Sequence, residues 1–125
     1  MADDEKAMLI IPLQSRDVFT AGDGTHLREI IDPRLAPGVR YSIAHASLDP
    51  GQASQLHLLF SSEVYHIVSG EGVMHIAGEE AEVAAGDTIY VPPGAQQFIR
   101  NTGDGQLVFL CIVDPAWRAE DEQVI

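Results

Sequence analysis

Apolar residues in this chain fall in short runs, many of them alternating with polar positions, and turn residues separate the runs. The punctuation is Gly22-Asp23-Gly24, Pro37-Gly38, Asp49-Pro50-Gly51, Gly70-Glu71-Gly72, Gly78, Gly86-Asp87, Pro92-Pro93-Gly94 and Gly103-Asp104-Gly105. Gly, Pro and Asp supply the backbone angles that tight corners require. The pattern predicts strands at Met8–Ile11, Thr25–Ile31, Arg40–Leu48, Leu56–Leu59, Glu63–Ser69, Val73–Ala77, Glu80–Val83, Thr88–Val91, Gln97–Asn101 and Leu107–Val113. No segment sustains a helical apolar period, so long helices are not expected. The fold class is all-β, a sandwich or barrel. At the end of the chain, Asp114 and Pro115 fit the cap and first position of one helical turn, and Glu120-Asp121-Glu122 is expected to stay solvated.

Strand alternation then sorts the side chains by face, because successive residues point to opposite sides of a sheet. If Gly70-Glu71 closes a two-residue hairpin, Ile67 faces Met74 and Tyr65 faces Ile76. If Thr102–Gln106 closes another, Ile99 faces Phe109 and Gln97 faces Cys111. The interior predicted is lined by His57, Leu59, Glu63, Tyr65, Ile67, Met74, Gln97, Ile99, Phe109 and Cys111, an apolar pocket with polar groups at one end, as small-molecule sites usually are. The opposite face carries Val64, Val68 and Val73, with His66 directly across from His75. So apolar an outward face is expected to be covered, either by Met8–Ile11 or by a second subunit in a homodimer. His26 and His45 have no partner in the sequence and read as structural.

Two stretches combine turn residues with metal-competent side chains at a regular spacing: Gly51-(5)-His57-(5)-Glu63-(6)-Gly70, and Gly86-(5)-Pro92-Pro93-Gly94-(2)-Gln97-(3)-Asn101. The pair resembles the two signature motifs of the cupin superfamily, G-x5-H-x-H-x3-E-x6-G and G-x5-P-x-G-x2-H-x3-N. The likeness covers Gly51–Asn101 through the motifs and Arg40–Val113 through the strand pattern. It implies a double-stranded β-helix or jelly-roll barrel forming one domain over residues 1–125, with a core at about 25–113, an N-terminal strand at 8–11 and an acidic tail at 114–125. In metal-binding cupins, three histidines and a glutamate from these motifs hold one metal inside the barrel. Here His57 and Glu63 occupy ligand positions, whereas Leu59 and Gln97 stand where histidines are expected. The resemblance therefore implies a divalent metal (Mn, Fe or Zn) held by His57, Glu63 and Gln97, with no organic cofactor. The residues leave a second reading open: a hydrogen-bonded cluster of the same three side chains without metal. Leu59 removes a donor and suits either an apolar ligand or core filling.

Composition narrows the partners. The chain has 125 residues, 46% of them hydrophobic, enough for one core. Nineteen acidic against seven basic residues give a net charge of −12, which repels nucleic acid and anionic membranes. One cysteine, Cys111, excludes an internal disulfide and suits the cytoplasm. The acidic start and the brief run Met8-Leu9-Ile10-Ile11 before Pro12 argue against a signal peptide or membrane span.

Glu63 and Tyr65 are the candidate proton-transfer groups. Tyr65 reads equally as a core tyrosine with a satisfied hydroxyl, Cys111 as a small buried hydrophobe. Three functions remain: a barrel binding a small organic ligand, with or without a loosely held divalent metal; a metal-dependent dioxygenase, isomerase, lyase or decarboxylase acting on a small carboxylate or enol; or a metal-free structural or interaction module.

Overall fold

The computed structural model describes residues 7–125. Eleven strands are present among the described residues: β1 (Phe19–Thr20), β2 (His26–Ile31), β3 (Ser42–Leu48), β4 (His57–Leu59), β5 (Ser62–Ser69), β6 (Glu71–Ile76), β7 (Glu79–Ala84), β8 (Thr88–Val91), β9 (Gln97–Asn101), β10 (Leu107–Asp114) and β11 (Glu122–Val124). They form two antiparallel sheets, one ordered β1-β2-β3-β10-β5-β8 and the other β11-β4-β9-β6-β7. The inner faces share one core, with Leu48, Tyr65, Ile67 and Phe109 from the first sheet against Met74, Val83 and Ile99 from the second. This is a jelly-roll barrel. Among the described residues, no helix is long and apolar enough to cross a membrane.

The expected hairpins do not form. β5 lies between β10 and β8, and β6 between β9 and β7, so neither pairs with the other. Gly70 is the reason. Its φ is +88°, and a Cβ there would come within 2.6 Å of the Gln106 carbonyl oxygen, so the chain passes from one sheet to the other at a point only glycine can occupy. Residues Thr102–Gln106 likewise carry the chain between sheets. Phe109 therefore pairs with Ile67 and Cys111 with Tyr65, while Met74 pairs with Ile99 and Ile76 with Gln97. The inward faces are unchanged, because alternation belongs to each strand whichever neighbour it has.

The histidine pair is corrected with the hairpin. His66 lies between Leu110 and Thr88 and bonds the Thr88 hydroxyl at 2.9 Å. His75, on the other sheet, stacks on Phe98 with ring centroids 4.0 Å apart. Val64 and Val68 lie on the outer face of the six-stranded sheet, and Val73 pairs with Glu82 and Arg100 on the five-stranded one.

Both ends of the chain also depart from expectation. Met8–Ile11 joins no strand, and Met8, Leu9 and Ile10 are exposed. Asp114 closes β10 rather than capping a helix. A 3-10 turn at Ala119–Asp121 follows, and then β11, which pairs with β4. The tail is therefore part of the barrel wall. Backbone hydrogen bonds from Phe60 N–H to the Asp121 carbonyl (3.0 Å) and from Ile125 N–H to the Leu56 carbonyl (2.9 Å) fix it there.

Asn101 anchors the end of the second motif. It is buried, donates through Nδ2 to the carbonyls of Leu48 (2.9 Å) and Gly105 (2.8 Å), and accepts from Gly103 N–H (2.9 Å). One side chain thus satisfies three backbone groups where the chain changes sheets.

Candidate functional site

A cavity of about 110 Å³ opens between the two sheets. Its floor is built by the inward residues of β4, β5 and β10: His57 and Leu59, Glu63 and Tyr65, Phe109 and Cys111. Tyr65 and Phe109 stack with centroids 5.2 Å apart and form one wall. Ile67, Met74 and Ile99, expected in the lining, instead lie deeper in the closed core, 0%, 3% and 0% exposed. They share the inward face but belong to the end of the barrel that side chains fill.

Glu63 and Gln97 are both buried. Gln97 Nε2 donates to Glu63 Oε1 at 2.9 Å, and the Tyr65 hydroxyl donates to Gln97 Oε1 at 2.5 Å. Gln97 is fully buried behind the cavity wall and links the two proton-transfer candidates. Burial raises the Glu63 carboxyl to about 7, against the lowering effects of the Gln97 hydrogen bond and of nearby His57. Burial likewise raises the Tyr65 hydroxyl and the Cys111 thiol, so both stay protonated near neutrality.

His57 is held by its Nδ1, 2.7 Å from the Gln55 carbonyl oxygen. A carbonyl only accepts, so Nδ1 carries the proton and the Nε2 lone pair is left facing away. Nε2 has no hydrogen-bond partner among the described residues, and Asp23 Oδ2 lies 3.8 Å from it. No side-chain nitrogen or oxygen among the described residues is sealed off without a partner, so this nitrogen reaches the cavity that His57 lines.

Residues 44–113 match the cupin domain family. An uncharacterized protein of Methanocaldococcus jannaschii is 38% identical over 108 residues, 86% of either chain. The chain is a cupin. An oxalate-binding protein of Thermotoga maritima is 37% identical over 71 residues, 56% of this cupin and 59% of that protein. Among solved structures, a predicted oxalate decarboxylase of Thermotoga maritima superposes with a TM-score of 0.77 at 23% identity, covering 86% of this chain and 99% of the other. A Streptomyces nucleoside dehydratase variant with uridine superposes with a TM-score of 0.76 at 24% identity, covering 95% and 92%. These structural likenesses are of fold.

The donor set of this cupin does not fit the metal implied by the resemblance. Leu59 has no donor atom. The amide oxygen of Gln97, its only ligating atom, already accepts the Tyr65 hydroxyl, and its NH2 is turned toward the carboxylate. Only His57 and Glu63 of the four positions keep ligating capacity. No three His, Cys, Asp or Glu side chains among the described residues are arranged to hold an ion. Glu63, Gln97 and Tyr65 are instead hydrogen-bonded in a chain, whereas His57 stands outside it, held by the Gln55 carbonyl.

Three carboxylates on the cavity wall went unread in the sequence: Asp23, Glu122 and Glu29, the last paired with Arg34. Asp23 reaches the cavity from the Gly22-Asp23-Gly24 turn, where its Oδ1 accepts from Thr25 N–H (3.1 Å) and Thr25 Oγ1 (2.8 Å). The Asp23 carbonyl accepts from Gln55 N–H at 2.7 Å, which docks the turn beside His57. Glu122, expected in solvent, pairs across β11 with Leu59 and lines the cavity. A carboxyl thus arrives beside the position that lacks its histidine. Burial raises it above the ordinary glutamate range. The turn signal at Asp23 was visible; nothing in Glu122-Gln123-Val124 marked a strand.

Proposed function

We propose that this cupin binds a small organic molecule in its barrel and moves a proton on it without a metal, Glu63 serving as acid or base and His57 as its partner. One observation carries the reading: Glu63 borders the cavity with one oxygen pinned by Gln97, and its protonation balance lies near neutrality. A group so poised accepts and returns protons with little driving force lost either way. The Gln97 amide, fixed in turn by Tyr65, orients the carboxyl rather than reacting. The reaction class that suits this pair is proton transfer at carbon beside an electron-withdrawing group, as in isomerisation or loss of water. The nucleoside dehydratase with the same fold supports it by analogy of scaffold only. Oxalate, the ligand named for the Thermotoga relative, finds no Lys or Arg among the residues lining this cavity.

Candidate ligands incubated with the protein in D2O should exchange a carbon-bound proton, read by NMR. Glu63→Gln should slow that exchange at least about 100-fold. Exchange unaltered in the variant would remove Glu63 from the chemistry, and binding without exchange would leave a binding module.

The whole chain acts as one domain in this reading, because the Gly22 turn and the C-terminal strand both wall the cavity. The free Cys111 suits the cytoplasm. A homodimer is part of the proposal. The outer face of the six-stranded sheet presents Val64, Val68, Tyr90, Leu110 and Ile112 side by side, with Val68 and Tyr90 among the exposed apolar residues. A second copy covers such a face best. Val68→Lys combined with Tyr90→Lys should turn a dimer into a monomer in sedimentation; a parent that is monomeric at high concentration refutes it.

A further inference from the structure

The hydrogen-bonding inventory of the cavity is one-sided. Asp23, Glu29, Glu63 and Glu122 lie on its wall, and no Lys or Arg does. Glu29 is committed to Arg34, 2.9 Å away at the rim. Asp23 spends one oxygen on Thr25 and leaves Oδ2 free. Glu63 spends Oε1 on Gln97. The carboxyl of Glu122 stands against Gly22, with Oε1 3.6 Å from where a Cβ on that glycine would lie.

Independently of these carboxylates, the side chain of His57 is 3% exposed and turns a bare Nε2 lone pair on the same space. Donors are fewer than acceptors. The hydroxyls of Tyr65 and Thr25 already donate to Gln97 and Asp23, the Trp117 indole N–H and the Cys111 thiol are directed to Glu122 and Glu63, and Ser42 keeps a free hydroxyl proton on the wall. The remaining surface is apolar and aromatic: Leu27, Leu59, Phe109 and Trp117. Acceptors outnumber donors in this space, and none of the donors on its wall comes from a Lys or Arg.

We propose that the ligand is a small organic cation, an ammonium-type group on an apolar body, with the charged end among Asp23, Glu122 and His57 Nε2. The inference rests on the cavity being a ligand site and adds the chemical class. A buried acceptor needs a donor. An ammonium supplies three donors and neutralises carboxylates that otherwise repel one another across a poorly solvated gap. The aromatic wall of Phe109 and Trp117 suits the same charge, since ring faces attract cations. A carboxylate or phosphate would meet like charge without a countercharge.

Matched probes separate the claims. n-Butylammonium, n-butanol and butyrate should be titrated against the whole protein, following the side-chain amide of Gln97 and the ring of His57 by NMR. Butylammonium should shift both groups and bind at least about tenfold more tightly than butyrate. Glu122→Gln should reduce that preference several-fold, since Glu122 sits on a strand edge and its replacement keeps the shape. If butanol and butyrate bind as well as butylammonium, the ligand site stands and the charge preference falls. Shifts from butylammonium confined to surface acids, with the cavity silent, overturn it too. If none of the three reaches the cavity, both readings fall together.

Discussion

Replacing Glu63 by glutamine is expected to stabilise the folded protein by roughly 3 kcal/mol at pH 8 and to change it little at pH 4. The ordinary glutamate value of 4.5 applies to the unfolded chain, whereas burial raises the folded one to about 7. Below 4.5 the carboxyl is protonated in both states and adds nothing. Between 4.5 and 7 the folded state keeps a proton that the unfolded state has released, so stability falls as pH rises. Above 7 both states are ionised, and the native state carries the full cost of a charge in a site that is 5% exposed. Glutamine bypasses that loss, because Gln97 Nε2 still finds an oxygen to donate to. Denaturant unfolding of parent and variant at pH 4, 6 and 8 measures it. A difference that does not grow with pH would show that Glu63 is not held protonated by burial. The same substitution should slow proton transfer at least about 100-fold, a stability gain bought with function.

The second large effect concerns metal. Leu59→His together with Gln97→His is expected to bind Zn²⁺ or Co²⁺ at least about 100-fold more tightly than the parent. The double change restores the four-ligand pattern at positions whose strands already face inward: His57 and Leu59 on β4, Glu63 on β5, Gln97 on β9. In the parent, Leu59 offers nothing and the Gln97 oxygen is occupied by Tyr65. Calorimetric titration gives the affinities, and the visible absorption of Co²⁺ reports whether nitrogen ligands surround it. A parent that binds as tightly as the variant would show that the Gln97 amide gives up its tyrosine for a metal, and the misfit argued above would be wrong.

Asp23, Glu122 and the three residues of the Glu63–Gln97–Tyr65 chain mark the boundary between sequence and structure. Inward placement of His57, Leu59, Glu63, Tyr65, Gln97, Phe109 and Cys111 could be read from strand alternation and motif spacing. A residue's face depends only on its own strand's pleat, and the glycines of the motifs fix where each strand starts. That information is local, so it survived even though both hairpin registers were wrong.

Which strands pair is not local. Gly70 reads as a turn in either case, and only the close approach of the Gln106 backbone decides that the chain passes to the other sheet. The same limit hid the site's acidic character. Glu122 sits in a short polar segment whose strand exists because β4 offers it an open edge, and Met8–Ile11, the more strand-like in composition, finds no such edge. The sequence by itself determined the barrel, the inward set and the loss of two metal ligands. Only the tertiary structure decided that Gln97 turns its oxygen to Tyr65 and that Asp23 and Glu122 join the cavity. Those outcomes depend on contacts between segments far apart in the chain, which no periodicity or turn residue encodes.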